Sequence, residues 1–526
     1  MIVLVLFGIW PFVSFLNHNF FNHNQDDAII FGQHILAYAF AFVVLLTLFA
    51  FIVKAVLPKT PFARIANVLA AAVVVLFNYL ALDELLSGFG IALGTVKIAI
   101  WLLILTAVVV AVWRLSSWRQ TSLVFAVMGC VLVAIPAAQF SWSAMRIPAA
   151  PMPGNDDRAA LAPQSKTNQS AAALPSVYWF ILDMYARHDV LEKYLGFANR
   201  EFLQSLKDRG FFVAERAVSN YTSTQLSIST TVAMDYIFKD GKVERALWTA
   251  PLHGFNPTVD RFLDLGYRYI HVEPHNNPKT LCGGREDKCI KPRIKGAFGI
   301  GEAEAGLLKL TPLYRIIRRL APKFLSFDYT TIGEVMSNLD PASDAPLFLF
   351  AHIMSPHPPP RYTTNCSPIE NLDWELIGDD IDRVVEGYFT DLRCLNPLVV
   401  AAVDQILASD PTDPIIIIQG DHGLRTKFIV NIEPRRTPEI EPWFVDYAIL
   451  HAMRLPERCD EELDHEFSMI NTFRVVFNCI LSERVELLPT RIFSRYKYNA
   501  EGLREVGVRE MILDSPTGLN FDRPGR

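Results

Sequence analysis

Hydrophobic and polar positions divide the chain near residue 146. Before it, long apolar runs with short polar breaks predict five membrane-spanning helices, at residues 2–16, 34–56, 65–85, 91–112 and 121–140. Most are near the roughly 20 residues that a bilayer core requires. After residue 146, short apolar runs alternate with amphipathic ones. Residues 176–182 (SVYWFIL), 267–272, 347–353 (LFLFAHI) and 415–418 (IIII) read as strands, and 199–209, 379–408 and 469–481 as helices. This alternation predicts an α/β sandwich with a largely parallel sheet over residues 176–498, long enough for one large core. Residues 147–175, rich in Ala and Pro and without apolar periodicity, read as a linker, and residues 499–526 as a C-terminal tail.

Composition sharpens the division. The 526-residue chain is 51% hydrophobic with net charge −6, yet nearly all its charged residues follow Arg146. Lys54, Lys59 and Arg64 lie between the second and third spans and Arg114 and Arg119 between the fourth and fifth, whereas residues 17–31 and 84–90 carry no Lys or Arg. The basic loops belong in the cytoplasm, and an odd number of spans puts the polar domain on the far side. In a bacterium this describes a multi-pass protein of the inner (cytoplasmic) membrane with a periplasmic or extracellular domain. The first span lacks a basic leader and an Ala-x-Ala site, so it is expected to be retained. Lys97 is the main ionisable group within the spans, which therefore read as an anchor rather than an ion pathway.

Six of the seven cysteines (Cys282, Cys289, Cys366, Cys394, Cys459, Cys479) fall in the far-side domain, an even number that predicts disulfides in an oxidising compartment. Cys282 with Cys289, closing CGGREDKC, is the favoured pair. Residues 301–323 place Leu307, Leu308, Ile316, Ile317 and Leu320 beside Arg315, Arg318 and Arg319. The pattern fits a helix lying on anionic lipid or an amphipathic helix packed on the sheet, and the second is the expectation.

Candidate chemistry gathers at the strand ends. Asp183 follows the first strand and Asp421-His422-Gly423 the IIII strand, the positions from which an α/β fold offers oxygen and nitrogen ligands to a metal at one sheet edge. Gly423 lets the backbone turn away. In NYTSTQLSISTTVAMDY, Thr224, Ser227 and Thr231 fall at helical spacing, with Leu226, Ile228, Val232 and Met234 for the core. A nucleophilic Thr at a helix N-terminus gains free N–H groups and the helix dipole. His352 and His357, at a strand end followed by prolines, occupy a rigid loop. Arg425 and Lys427 read either as an anion clamp or as a solvated basic loop.

The order and spacing of Asp183, Thr224 with Ser227, HIMSPHP and Asp421-His422 resemble the alkaline phosphatase superfamily. Within it the chain is similar to the membrane-anchored, sulfatase-like branch of lipoteichoic acid synthases, phosphoglycerol transferases and lipid A phosphoethanolamine transferases. The resemblance covers nearly the whole chain, including the five spans. It implies a sulfatase-like α/β sandwich and a divalent metal ion (Zn, Mn or Mg), one or two in number, held by Asp183, Thr224, Asp421 and His422. It also implies Thr224 as nucleophile and histidines such as His352 and His357 at the transferred group, the leaving group or a second metal, with His357 the candidate acid for the leaving group. The implied activity moves a phosphoglycerol- or phosphoethanolamine-type group from a membrane phospholipid to an envelope glycan through a covalent threonine intermediate. A phosphodiesterase or atypical sulfatase is the alternative. Asp rather than Glu at 183 leaves the donor open, and the absence of Cys-x-Pro-x-Arg and Ser-x-Pro-x-Arg argues against a formylglycine sulfatase. The retained Asp183, Thr224, Asp421 and His422 argue against a non-catalytic sensor.

Overall fold

The computed structural model describes the chain apart from residues 23–24, 92, 116–118, 147–173, 240–241, 244–249, 276–279, 293–301, 327–328, 340–344, 371, 373–380, 425–444, 460–462, 482–484, 495–503 and 507–526. The expected linker thus lies almost wholly outside the described residues, as do Arg425, Lys427 and most of the tail. Residues 1–149 with 300–325 make one compact unit, and residues 150–299 with 326–526 a second.

The first unit contains α1 (Ile2–Asn22), α2 (Gln25–Val56), α3 (Phe62–Phe77), α4 (Tyr79–Gly88), α5 (Gly94–Leu115) and α6 (Arg119–Arg146), joined by α7 (Glu302–Lys309) and α8 (Leu313–Leu320). Ile35–Val56, Gly94–Leu115 and Gln120–Trp142 are long and apolar enough to cross a membrane, as is the α3–α4 pair taken together. That pair is the expected third span, broken at Asn78 by a 48° bend. The Asn78 side-chain amide donates to the Val74 carbonyl, in competition with the helical ladder. The backbone groups near the break find other partners. Tyr79 N–H donates to Leu310 O and Trp101 Nε1 to Val75 O. α1 is shorter, yet Val3, Leu4, Phe7, Phe12 and Leu16 are all buried, against α2, α3 and α6.

α7 and α8 do not pack on the sheet as their periodicity suggested. Leu307 is buried with Phe12, Leu16, Ile35 and Ala39, and Arg315 Nη2 lies 2.8 Å from Asp83 Oδ2. Lys97, buried in α5, pairs with the same carboxylate at 3.2 Å.

The second unit is built on a seven-stranded mixed sheet. Its strands are β1 (Val177–Leu182), β2 (Phe212–Val213), β5 (Arg268–Val272), β6 (Lys288–Ile290), β7 (Leu347–Ile353), β8 (Ile415–Gly420) and β9 (His451–Arg454), in the order β2-β9-β8-β1-β7-β5-β6. Two small hairpins stand apart, β3 (Phe238–Lys239) with β4 (Lys242–Val243) and β10 (Ile492–Ser494) with β11 (Arg504–Val506). The five strands from β8 to β6 are parallel, and β9 and β2 close one edge with antiparallel pairs. The central strands are apolar along most of their length because both faces are covered, with His352 of β7 and Gln419 of β8 near their ends. Tyr178, Phe180, Leu182, Leu349, Ile416 and Ile418 enter one core, and Val177, Trp179, Ile181, Phe350, Ile415 and Ile417 the other.

The long helix Ile381–Ser409 is apolar enough to pass for a membrane span, but its buried residues Val384, Tyr388, Leu392, Leu395 and Val399 belong to the first of these cores. Cys282–Cys289 is bridged as expected, and Cys366–Cys394 and Cys459–Cys479 complete the pairing of the six. Cys130 is free in α6.

Candidate metal centre at the sheet edge

Three neighbouring parallel strands end together. Leu182 is in register with both Ile353 and Gly420, and Ile181 with His352. Asp183 after β1, His352 near the end of β7 and Asp421 and His422 after β8 therefore arrive at one edge. His352 Nε2 lies 3.5 Å from Asp183 Oδ2, and His422 Nε2 lies 3.6 Å from Asp183 Oδ1 and from Asp421 Oδ2. All four residues are buried.

Each ligand is aimed by its remaining polar atom. Asp421 Oδ1 accepts the N–H groups of Met184 and His422, both at 2.9 Å, which leaves Oδ2 for the centre. Met184 donates from a left-handed backbone (φ 63°), a conformation that costs a non-glycine residue about 1–3 kcal/mol and tends to collect at functional sites. His422 Nδ1 lies 2.9 Å from Gly423 O. A carbonyl only accepts, so Nδ1 carries the proton and Nε2 turns its lone pair inward. His352 is held from behind by Thr280, whose Oγ1 is 3.3 Å from Nδ1. Thr280 O in turn accepts from His271 Nε2 at 3.1 Å, which leaves His271 Nδ1 to take the Tyr269 hydroxyl at 2.7 Å. Burial pushes the His271 imidazole down to about 3, so this relay is neutral.

Asp183 Oδ1, Asp421 Oδ2, His352 Nε2 and His422 Nε2 are buried without a hydrogen-bond partner. Buried donor atoms gathered in this way suit a cation. Asp183, His352 and Asp421 each bring a ligand atom within 4.8 Å of the others, with His422 3.6 Å from both carboxylates, and a mixed nitrogen and oxygen set suits Zn or Mn. Burial raises the Asp183 pKa, but the neighbouring histidines, His357 foremost, hold it below the usual carboxylate range.

Thr224 is the first residue of the helix Thr224–Ala233. Ser227 Oγ donates to Tyr221 O and Thr231 Oγ1 to Ser227 O, so both are taken up by local backbone. The Thr224 hydroxyl is half-buried and makes no hydrogen bond among the described residues. The segment 445–450 stitches its lead-in to the metal-side loops. Ser219 N–H donates to Tyr447 O, Gly423 N–H to Asp446 O, Arg187 N–H to Ala448 O and Leu450 N–H to Tyr185 O. Gly423 is required by this close approach, since a Cβ there would sit 2.0 Å from Val445 O.

The loop after β7 carries His357 and is fastened by residues the sequence did not announce. Asp391, buried on Ile381–Ser409, accepts from Ser355 Oγ at 2.8 Å and from the N–H groups of Arg361 and Tyr362 at 2.8 and 3.0 Å. Burial pushes its carboxyl up to about 6 against the pull of Arg361 and these hydrogen bonds. The buried Arg361 guanidinium donates to the carbonyls of His357 and Pro359. The Cys366–Cys394 bridge ties the end of the same segment to the same helix. His357 Nδ1 lies 2.6 Å from Pro358 O, so Nδ1 carries a proton directed at that carbonyl.

The chain matches no protein-family model and no curated protein. Among solved structures it is similar to the C-terminal periplasmic domain of EcEptC from Escherichia coli (TM-score 0.42, 12% identity, covering 65% of this chain and 96% of that one). It is also similar to the lipoteichoic acid synthase LtaP from Listeria monocytogenes (0.39, 13%, 64% and 82%). A third is the integral membrane lipooligosaccharide phosphoethanolamine transferase A (EptA) from Neisseria meningitidis (0.37, 15%, 91% and 95%).

Proposed function

We propose that the protein is a metal-dependent phosphoryl-group transferase of the bacterial inner membrane, with its α/β unit in the periplasm or outside the cell. It moves a phosphoglycerol- or phosphoethanolamine-type group from a membrane phospholipid to an envelope glycan by way of Thr224. The observation that carries this reading is the set of four buried donor atoms, unpartnered among the described residues, at the end of β1, β7 and β8; Thr224, first residue of the helix Thr224–Ala233, is the nucleophile that the sequence suggests for it.

Asp183, Asp421, His422 and His352 would hold the ion, with Thr224 completing the set. When bound it supplies Lewis-acid stabilisation of phosphoryl charge and favours the ionised threonine. The chain's own groups do the rest. Thr224 Oγ, its proton already lost to solvent, bonds to phosphorus, the bond from phosphorus to the lipid oxygen breaks, and protonated His357 gives its Nε2 proton to that oxygen; the second step returns a proton to His357 and leaves Thr224 ionised again. The N-terminal N–H groups of Thr224–Ala233 face the anionic group. In the second step His357 takes the proton of a glycan hydroxyl, whose oxygen attacks phosphorus and releases Thr224. Asp391 and Arg361 keep the His357 loop in place during both steps. Arg425 and Lys427 are candidates for binding the transferred anion.

The test is to incubate the full-length protein and metal with liposomes of headgroup-labelled phosphatidylglycerol or phosphatidylethanolamine and an envelope glycan. Label in the glycan is expected. Free headgroup without glycan label would make the protein a phosphodiesterase, and untouched lipid would remove both readings.

A further inference from the structure

We propose that α8 is an interfacial helix that inserts its apolar face into the outer leaflet of the bilayer while its arginines meet lipid phosphates. This goes beyond the transfer reaction and does not depend on it.

Residues 313–320 (LYRIIRRL) carry two faces. Leu313, Ile316 and Leu320 project from one and are exposed, Leu320 by 77%, and Phe324 just beyond is exposed as well. Tyr314 is buried and Arg315 reaches Asp83, so a different side of the helix is the one packed on protein. An apolar stripe of this kind, rimmed by arginine, is the pattern of a helix lying in a membrane surface rather than in water.

Continuity with the spans names the occupant. Leu307 of α7 is buried among Phe12 and Leu16 of α1 and Ile35 and Ala39 of α2. Leu310 O accepts from Tyr79 N–H, and Arg315 Nη1 stands where a side chain on Gly94 would be. Leu16, Ile35, Asp83 and Gly94 lie toward the span ends next to residues 17–31 and 84–90, the stretches without Lys or Arg that the charge pattern places outside, while Phe12 and Tyr79 lie deeper. The helix pair therefore packs against that end of α1, α2, α4 and α5, with α7 reaching inward and Arg315 of α8 at Asp83 and Gly94. Charge points the same way. Lys97 and Arg315 meet the carboxylate of Asp83, and α8 itself carries three arginines and no acidic residue, with Arg319 exposed, a composition suited to lipid phosphate.

Site-directed spin labelling of the full-length protein in phosphatidylethanolamine–phosphatidylglycerol bilayers tests this. Single labels are placed through Leu313→Cys, Ile316→Cys, Leu320→Cys and Arg319→Cys in a Cys130→Ser background. These side chains are exposed, so labelling leaves the packing of Leu307 and Tyr314 intact. Expected are severalfold higher ratios of oxygen to nickel-chelate collision at 313, 316 and 320 than at 319. Uniform access to the chelate would overturn the proposal by placing α8 in water. Dipolar broadening between labels on two copies would overturn it by showing that protein covers this face.

Discussion

Removing the metal should expose the cost of the cage. Asp183 Oδ1, Asp421 Oδ2, His352 Nε2 and His422 Nε2 are each buried with no hydrogen bond, and an orphaned buried polar atom costs about 1–3 kcal/mol. Four such atoms make the ion-free site unfavourable by roughly 4–12 kcal/mol, a penalty that binding of the ion relieves. For a unit of this size that corresponds to an apparent midpoint difference on the order of 5–20 °C. The perturbation is dialysis against a chelator and re-addition of Zn, Mn or Mg, with thermal unfolding followed in detergent on the full-length protein. Asp421→Asn gives the sharper version. It removes one of the two carboxylate charges, so the ion-free form should become more stable while the metal-dependent rise shrinks. The same midpoint with and without chelator, or an Asp421→Asn variant that loses stability equally in both states, would refute the metal cage.

Three further outcomes follow from the geometry. Asp391→Asn should lower kcat by on the order of 10²-fold by loosening the His357 loop, with metal uptake unchanged in a titration; equal loss of metal binding would show a general packing defect instead. His451 is fully buried, stacked on Phe467 at 3.9 Å, with neither ring nitrogen hydrogen-bonded, and burial pushes it down to about 3. Because the unfolded chain takes up a proton between about pH 6.5 and 3 that the folded one refuses, stability present above pH 6.5 falls by about 1.4 kcal/mol per pH unit on acidification. His451→Phe should remove that share and shift the acid midpoint downward; an unchanged pH profile would contradict this. A reporter fused after Arg526 should be active only if it folds outside the cytoplasm, and cytoplasmic activity there would overturn the five-span topology.

Legibility followed burial. β1, β7 and β8 stand out in the sequence because both faces are covered and the apolar run is unbroken. β9, short and carrying His451 and Arg454, exists through pairing with β8 and has no such run. Periodicity showed that residues 301–323 have an apolar face, but not which partner covers it; Leu307 against Phe12 and Arg315 against Asp83 decide that. Asp183, Asp421 and His422 were readable from strand ends. His352 joins them only through the parallel register of β7 with β1, which no single strand reveals. Asp391 was hidden because an acidic residue inside a long helical pattern reads as solvent-facing, and its role appears only when the His357 loop folds onto it.

The central claim is that Thr224 Oγ carries the phosphoryl group between two partners. The most direct measurement is intact-protein and peptide mass spectrometry of the full-length protein, loaded with metal and stopped by acid during turnover of a model phosphodiester, alongside Thr224→Ala. The account predicts a phosphoryl-group adduct on Thr224, absent from a metal-depleted sample and from the Thr224→Ala variant, which should fold normally and show no turnover. Full activity in Thr224→Ala, or an adduct on Thr222, Ser223 or Ser227 instead, would contradict it.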